Sequence, residues 1–133
     1  LNLVENGVFI NYLLGLRSAK QLKIKPNGNS SPYNLTLNNG KVSPEDLIKP
    51  IKKGIYVTEM LGMSFNPVNG DYSRGAAGYM IENGEITFPI NEVTIAGNMK
   101  DILKKIVPAN DLKITENINS PTILVENMAL AGI

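Results

Sequence analysis

An acid, a phenol, a hydroxyl and a guanidinium stand side by side at Asp71-Tyr72-Ser73-Arg74. Gly70 precedes them and Gly75-Ala76-Ala77-Gly78 follows, so the sequence predicts a glycine-punctuated loop running into an apolar strand. Such a set could line a peptide-binding cavity, with Arg74 or Ser73 touching substrate backbone or carboxylate. From the residues alone, a turn in which Asp71 bonds nearby backbone N–H groups and Arg74 is solvated or paired with an acid is the favoured reading. Ser73 as a nucleophile needs a base, and the chain offers only lysines and carboxylates for that role, which argues against it.

The other constellations read as structure. Gly75-Ala76-Ala77-Gly78 lacks the Gly-Lys-Ser/Thr of a phosphate loop and does not sit between a strand and a helix. Small residues there let strands approach or bend. Glu59 and Glu82 adjoin apolar runs, but their spacing shows no carboxylate pair for acid–base work. Arg17, Lys20, Lys23 and Lys25 form a modest basic cluster that reads as a solvated face. The chain has neither histidine nor cysteine. It therefore cannot supply a self-contained zinc site, a Cys nucleophile or a Ser-His-Asp triad. Disulfides are excluded too, which fits a reducing compartment. The net charge of +1 gives no electrostatic case for nucleic acid or an acidic membrane. No apolar run reaches the length of a membrane span.

The 133 residues, 43% hydrophobic and 19% charged, suit one domain with a sizeable core. Strands are predicted at Val8–Leu14 and Tyr33–Leu37, with a short irregular or helical piece around Ser18–Leu22. Residues 25–33 form a breaker-rich polar loop between them. Ser43-Pro44-Glu45-Asp46 is a helix start, with cap, proline and acids in order. That helix should run to about Lys53, shortened or kinked by Pro50, with Gly54 as its C-terminal cap. Ile55–Leu61 is expected as a buried strand. Asn83-Gly84 between apolar runs predicts a hairpin of Ala77–Glu82 with Glu85–Pro89, since both turn residues tolerate positive φ. Glu92–Ile95 is expected as a separate strand. Asn98 should cap a helix over Met99–Ile106. Leu112–Thr115 and Thr122–Met128 close the list of strands. The fold class is therefore α+β, mainly antiparallel, with two short helices.

An ordered series of segments resembles the C-terminal domain of the PmbA/TldE branch of the TldD/PmbA family, once called modulators of DNA gyrase. It includes Arg17-Ser18-Ala19-Lys20-Gln21-Leu22, Gly54-Ile55-Tyr56-Val57-Thr58-Glu59-Met60-Leu61-Gly62 and Asp71-Tyr72-Ser73-Arg74-Gly75-Ala76-Ala77-Gly78. Downstream follow Glu92-Val93-Thr94-Ile95-Ala96-Gly97-Asn98-Met99, Ala109-Asn110-Asp111-Leu112 and Ala131-Gly132. The resemblance implies mixed, strongly curved sheets wrapped into a half-barrel, and an N-terminal domain preceding this one in the full protein.

It also implies a function. Family members act together as a cytoplasmic metalloprotease complex on unfolded or flexible peptides, including microcin precursors and antitoxins. The TldD-type subunit brings a His-Glu-x-x-x-His helix and a C-terminal Cys as zinc ligands. This chain resembles the other type, having no Cys between Asp111 and Ile133. On that resemblance it carries no catalytic residue or cofactor, and is inactive alone. Its partners would be a TldD-type subunit and peptide substrates, with Asp71, Tyr72, Ser73 and Arg74 toward the chamber or the subunit interface. The competing reading is a scaffold or regulator that never touches substrate. Separated from its N-terminal domain, the chain is expected to expose an apolar interface and self-associate.

Overall fold

The computed structural model describes all of residues 1–133. By contact density the chain divides into two compact units. One comprises Leu1–Thr36 with Ile114–Asn119, the other Leu37–Lys113 with Ser120–Ile133.

In the first unit, β1 (Val4–Glu5) and β2 (Val8–Phe9) form a small hairpin. Helix α1 (Leu16–Leu22) follows, with only Ala19 buried. Strand β3 (Leu35–Thr36) pairs in parallel with β8 (Ile118–Asn119). Asn27 pins the polar loop expected at residues 25–33. Its Oδ1 accepts from Leu14 N and Asn29 N at 3.2 Å each, and its Nδ2 donates to Tyr12 O at 2.8 Å. The predicted strand Val8–Leu14 is cut to two residues: Ile10 N and Asn11 N bond back to Leu3 O, and Tyr12 and Leu14 bond to the Asn27 loop rather than to a ladder. Asn119 does the same service for residues 115–116. It is 7% exposed, and its side-chain amide makes three backbone hydrogen bonds, to Thr115 N, Glu116 N and Glu116 O.

The second unit is built on one four-stranded antiparallel sheet. Its strands are β4 (Lys53–Leu61), β5 (Asp71–Glu82), β6 (Glu85–Asn98) and β10 (Ala129–Ala131), in the order β10-β6-β5-β4. The turn between β5 and β6 is the expected one, with Asn83 at φ 49° and Gly84 at φ 80°. Helix α2 (Pro44–Ile48) precedes the sheet, capped by Ser43 Oγ accepting from Asp46 N at 3.2 Å. Helix α3 (Met99–Lys105) leaves the end of β6, capped by Asn98 Oδ1 accepting from Lys100 N at 3.1 Å. Strands β7 (Val107–Pro108) and β9 (Ile123–Leu124) pair separately. A core cluster lies on one face of the large sheet. There Ala76, Val93 and Ile95 are buried, with Ile55, Val57, Tyr72, Ile90, Met128 and Leu130 packed against them.

The α+β class with mainly antiparallel sheets is what the chain adopts, although it has three short helices rather than two. The sheets do not close into a barrel. Several element boundaries differ from expectation. The helix from Pro44 ends at Ile48, just before Pro50, so Gly54 is free to join β4 instead of capping a helix. Strand β4 is an edge strand, half-buried over residues 54–57 and exposed over 58–61, not the buried strand its apolar residues suggested. Glu92–Ile95 is no separate strand, since β6 continues through it. A bulge where Glu92 adopts φ 55° absorbs the extra residue. Leu112–Thr115 is not a strand, and only Ile123–Leu124 of the predicted Thr122–Met128 pairs.

Candidate functional site

Asp71-Tyr72-Ser73-Arg74 is not a loop. It is the start of β5, paired residue by residue with Asn98, Gly97, Ala96 and Ile95 of β6. Side chains alternate across a strand, so the four cannot share a face. Tyr72 and Arg74 fall on the face bearing Ala76 and the core, and Asp71 and Ser73 on the other. Tyr72 accordingly packs on the core cluster, and its hydroxyl donates to Met60 Sδ at 3.6 Å.

The true loop is the segment before it, Gly62–Gly70. Its first part folds back along β5. Ser73 N donates to Ser64 O at 2.9 Å, Asn66 N donates to Asp71 O at 2.8 Å, and Phe65 bridges Tyr72. Asn66 then turns the chain, its Oδ1 accepting from Val68 N at 2.9 Å. An open cavity of about 430 Å³ lies where this segment meets β5 and β6. Ser64, Phe65, Asn66, Asp71, Tyr72, Ser73, Ala96 and Gly97 line it. Three of the four residues singled out in the sequence therefore reach a common cavity, and Arg74 does not.

Arg74 is instead held by the loop, its Nε donating to Gly62 O at 2.8 Å. Asp71 is likewise engaged. Its Oδ2 accepts from Asn69 Nδ2 at 2.8 Å and its Oδ1 from Asn98 Nδ2 at 3.3 Å. The one carboxylate lining the cavity has both oxygens hydrogen-bonded to neutral amide donors, and no cation lines it. Sequence reasoning missed Asn69 and Asn98 as the amide partners of Asp71 beside the cavity. Asn98 was legible as a helix cap, but nothing in the sequence placed it opposite Asp71.

The remaining candidates stay apart. Glu59 pairs with Ala77, and Glu82 with Lys53 and Glu85, at opposite ends of the β4–β5 ladder. Gly75-Ala76-Ala77-Gly78 lies within β5, where Gly78 meets the backbone of β4: an added Cβ would stand 1.9 Å from Tyr56 O. No three His, Cys, Asp or Glu side chains converge. Two carboxylates in this unit are held low: Asp46, by Lys49 first and Ser43 second, and Asp111. The Thr122 hydroxyl and then the Thr122 N–H, each at 2.8 Å, hold it below the usual carboxylate range. No helix is long and apolar enough to cross a membrane.

Comparison with known proteins agrees with this architecture. Residues 1–132 match the family described as the PmbA/TldA metallopeptidase C-terminal domain. The chain is 38% identical to Metalloprotease PmbA of Escherichia coli O157:H7 over 133 residues, which is 98% of this chain and 30% of that protein. It is 36% identical to the Metalloprotease PmbA homolog of Haemophilus influenzae, with the same two coverages. Among crystal structures, a Thermotoga maritima protein described as a modulator of DNA gyrase superposes with a TM-score of 0.84 at 37% identity. That match covers 97% of this chain and 32% of the other. TldE from Thermococcus kodakarensis superposes at 0.79 with 26% identity, covering 98% of this chain and 33% of its own. The chain spans under a third of the length of the curated relatives it matches first. With the match to the family running from residue 1 to residue 132 and the sheet superposing on its solved members, this chain belongs to the PmbA/TldD family, as its metallopeptidase C-terminal domain.

Proposed function

We propose that the chain is the C-terminal portion of the non-catalytic, metal-free subunit of a two-subunit cytoplasmic metalloprotease. A TldD-type subunit supplies zinc and the hydrolytic step, in which a metal polarises the scissile carbonyl and activates water. This chain forms wall rather than machinery, and the substrates are unfolded or flexible peptides, with microcin precursors and antitoxins as examples. The observation that carries the reading is one of chemistry. The chain matches relatives named PmbA at 35–38% identity over its whole length, yet contains no His, no Cys and no convergent carboxylates. A relative named TldD homolog matches at 26%.

Two features suit a wall that meets peptides. The cavity at the head of β5 has backbone and uncharged side chains around its one satisfied carboxylate. Strand β4 also leaves one edge without a neighbour, and an extended peptide can add to such an edge through main-chain hydrogen bonds. A scaffold that never touches substrate is the second reading. It is favoured by the internal engagement of Arg74 and Asp71 with Gly62, Asn69 and Asn98.

The test is co-expression of the full-length protein with the TldD-type protein of the same genome, purified by a tag on the former. Metal content and cleavage of a flexible peptide are measured for the pair and for each subunit alone. Zinc and cleavage in the pair only are expected. A metal-free protein that recruits no partner and changes no cleavage would reject the reading.

A further inference from the structure

We propose that Asn98 is a positioning residue that clamps the Gly62–Gly70 loop onto β5 and α3, and so sets the shape of the cavity beside it. The inference rests on the reading of that cavity as part of a peptide-contacting wall. Asn98 is not among the residues lining the cavity, so it acts through others. One side chain ties three segments together. Its Nδ2 donates to Asn69 O at 3.0 Å and to Asp71 Oδ1 at 3.3 Å, while its Oδ1 accepts from Lys100 N at 3.1 Å.

Its partners complete the clamp. Asn69 and Asp71 bond reciprocally, Asn69 Nδ2 to Asp71 Oδ2 at 2.8 Å and Asp71 N to Asn69 Oδ1 at 3.0 Å. Met99 N donates to Gly70 O at 2.7 Å. Gly70 sits at φ 87°, and a Cβ there would lie 2.9 Å from Asn98 Oδ1, so the crossing admits only glycine.

The loop held this way carries side chains with no use for the fold. Met63 is 92% exposed and Val68 is 90% exposed. A backbone fixed by this many bonds, presenting bare apolar side chains, loses little freedom when something docks on it. Nothing in the loop's own packing explains so much order. The hydrogen bonds supply it, and Asn98 is the one residue common to the loop, to β5 and to the start of α3.

The experiment uses the full-length protein co-purified with its TldD-type partner. Asn98→Asp keeps the helix cap, since Asp caps as well as Asn. It replaces the clamping donor by a carboxylate oxygen that faces Asn69 O and the Asp71 carboxylate. Asp71→Asn combined with Asn98→Asp returns a donor and an acceptor to the contact between positions 71 and 98 in swapped order, and leaves only the contact with Asn69 O unrelieved. Amide exchange over residues 64–71, assembly of the pair, and KM and kcat for a flexible peptide are read for each.

The single variant is expected to exchange about tenfold faster in the loop and to raise KM about fivefold, with kcat and assembly unchanged. The swapped pair should recover much of both. Unchanged loop exchange, or effects that the swap does not relieve, would overturn the clamp. Faster exchange with unchanged KM would leave the clamp standing and sink the peptide-wall reading instead. Should Asn98→Asp fail to fold, Asn69→Ala opens the exposed side of the same clamp, and the same readouts decide.

Discussion

Replacing Gly78 by Ala tests why β5 contains a run of small residues at all. Gly78 is buried in the middle of the sheet, paired with Val57 of β4 and Ile90 of β6. The β4 register slips between Val57 and Glu59, and this bulge brings the Tyr56 carbonyl over Gly78. A Cβ there would lie 1.9 Å from Tyr56 O, 2.9 Å from its carbonyl carbon and 3.1 Å from Thr58 N. Ordinary C···O contact is about 3.3 Å, so the overlap is roughly 1.4 Å against backbone, which cannot rotate away. Overpacking that side chains can absorb costs about 1–3 kcal/mol, and a clash with a ladder should reach or exceed about 3 kcal/mol. The loss of unfolded-state freedom returns only about 0.4–1 kcal/mol.

Gly97→Ala is the control on the same pair of strands. Its Cβ would meet Ile102 Cδ1 at 3.4 Å and Met128 Cε at 3.7 Å, which are mobile side-chain ends, so stability should change by less than about 1 kcal/mol. Urea unfolding followed by far-ultraviolet circular dichroism reads both. With a slope of about 2 kcal/mol per molar, Gly78→Ala should lower the midpoint by about 1.5 M and Gly97→Ala by under about 0.5 M. Equal midpoints for the two variants would refute the close-approach argument.

Arg74→Ala removes the bond to Gly62 O and should loosen the turn after β4. If pair assembly and peptide cleavage are both unchanged, the residue has no part in chamber or interface. Asn119→Ala leaves three backbone groups without their partner in a site that is 7% exposed, and should cost about 1–3 kcal/mol in urea unfolding. Asp111 has its folded pKa depressed by the Thr122 hydroxyl first and the Thr122 N–H second. Its contribution is therefore present above the ordinary carboxylate value of 3.8 and is lost as pH falls below it. Thr122→Val should flatten the acid limb of the stability–pH curve, and an unaltered limb would count against that assignment. The isolated chain, with Leu16 at 82% and Ile114 at 75% exposure, should self-associate in light scattering.

Local chemistry was legible wherever a few adjacent residues decide the outcome. Ser43 and Asn98 cap their helices, Asn83-Gly84 makes its turn, and Pro50 stops α2, because each effect acts over a span of one or two turns. The lack of His and Cys was equally decisive for what this chain cannot do. The composition also marked a strand-rich α+β chain, because β-branched runs between turn residues need no distant partner to be recognised. What the sequence could not decide is which strand lies at an edge and which side chains meet. Ile55–Leu61 reads as buried, but position in the sheet leaves residues 55–57 half-buried and 58–61 exposed. Asp71, Tyr72, Ser73 and Arg74 read as one cluster, but pairing with β6 turns them into a strand and sends alternate members to opposite faces. Asn98 and Asp71 are 27 residues apart and become neighbours only through that register. Pairing between distant strands is a property of the assembled sheet, set by where the whole core is buried, and no local window of residues contains it.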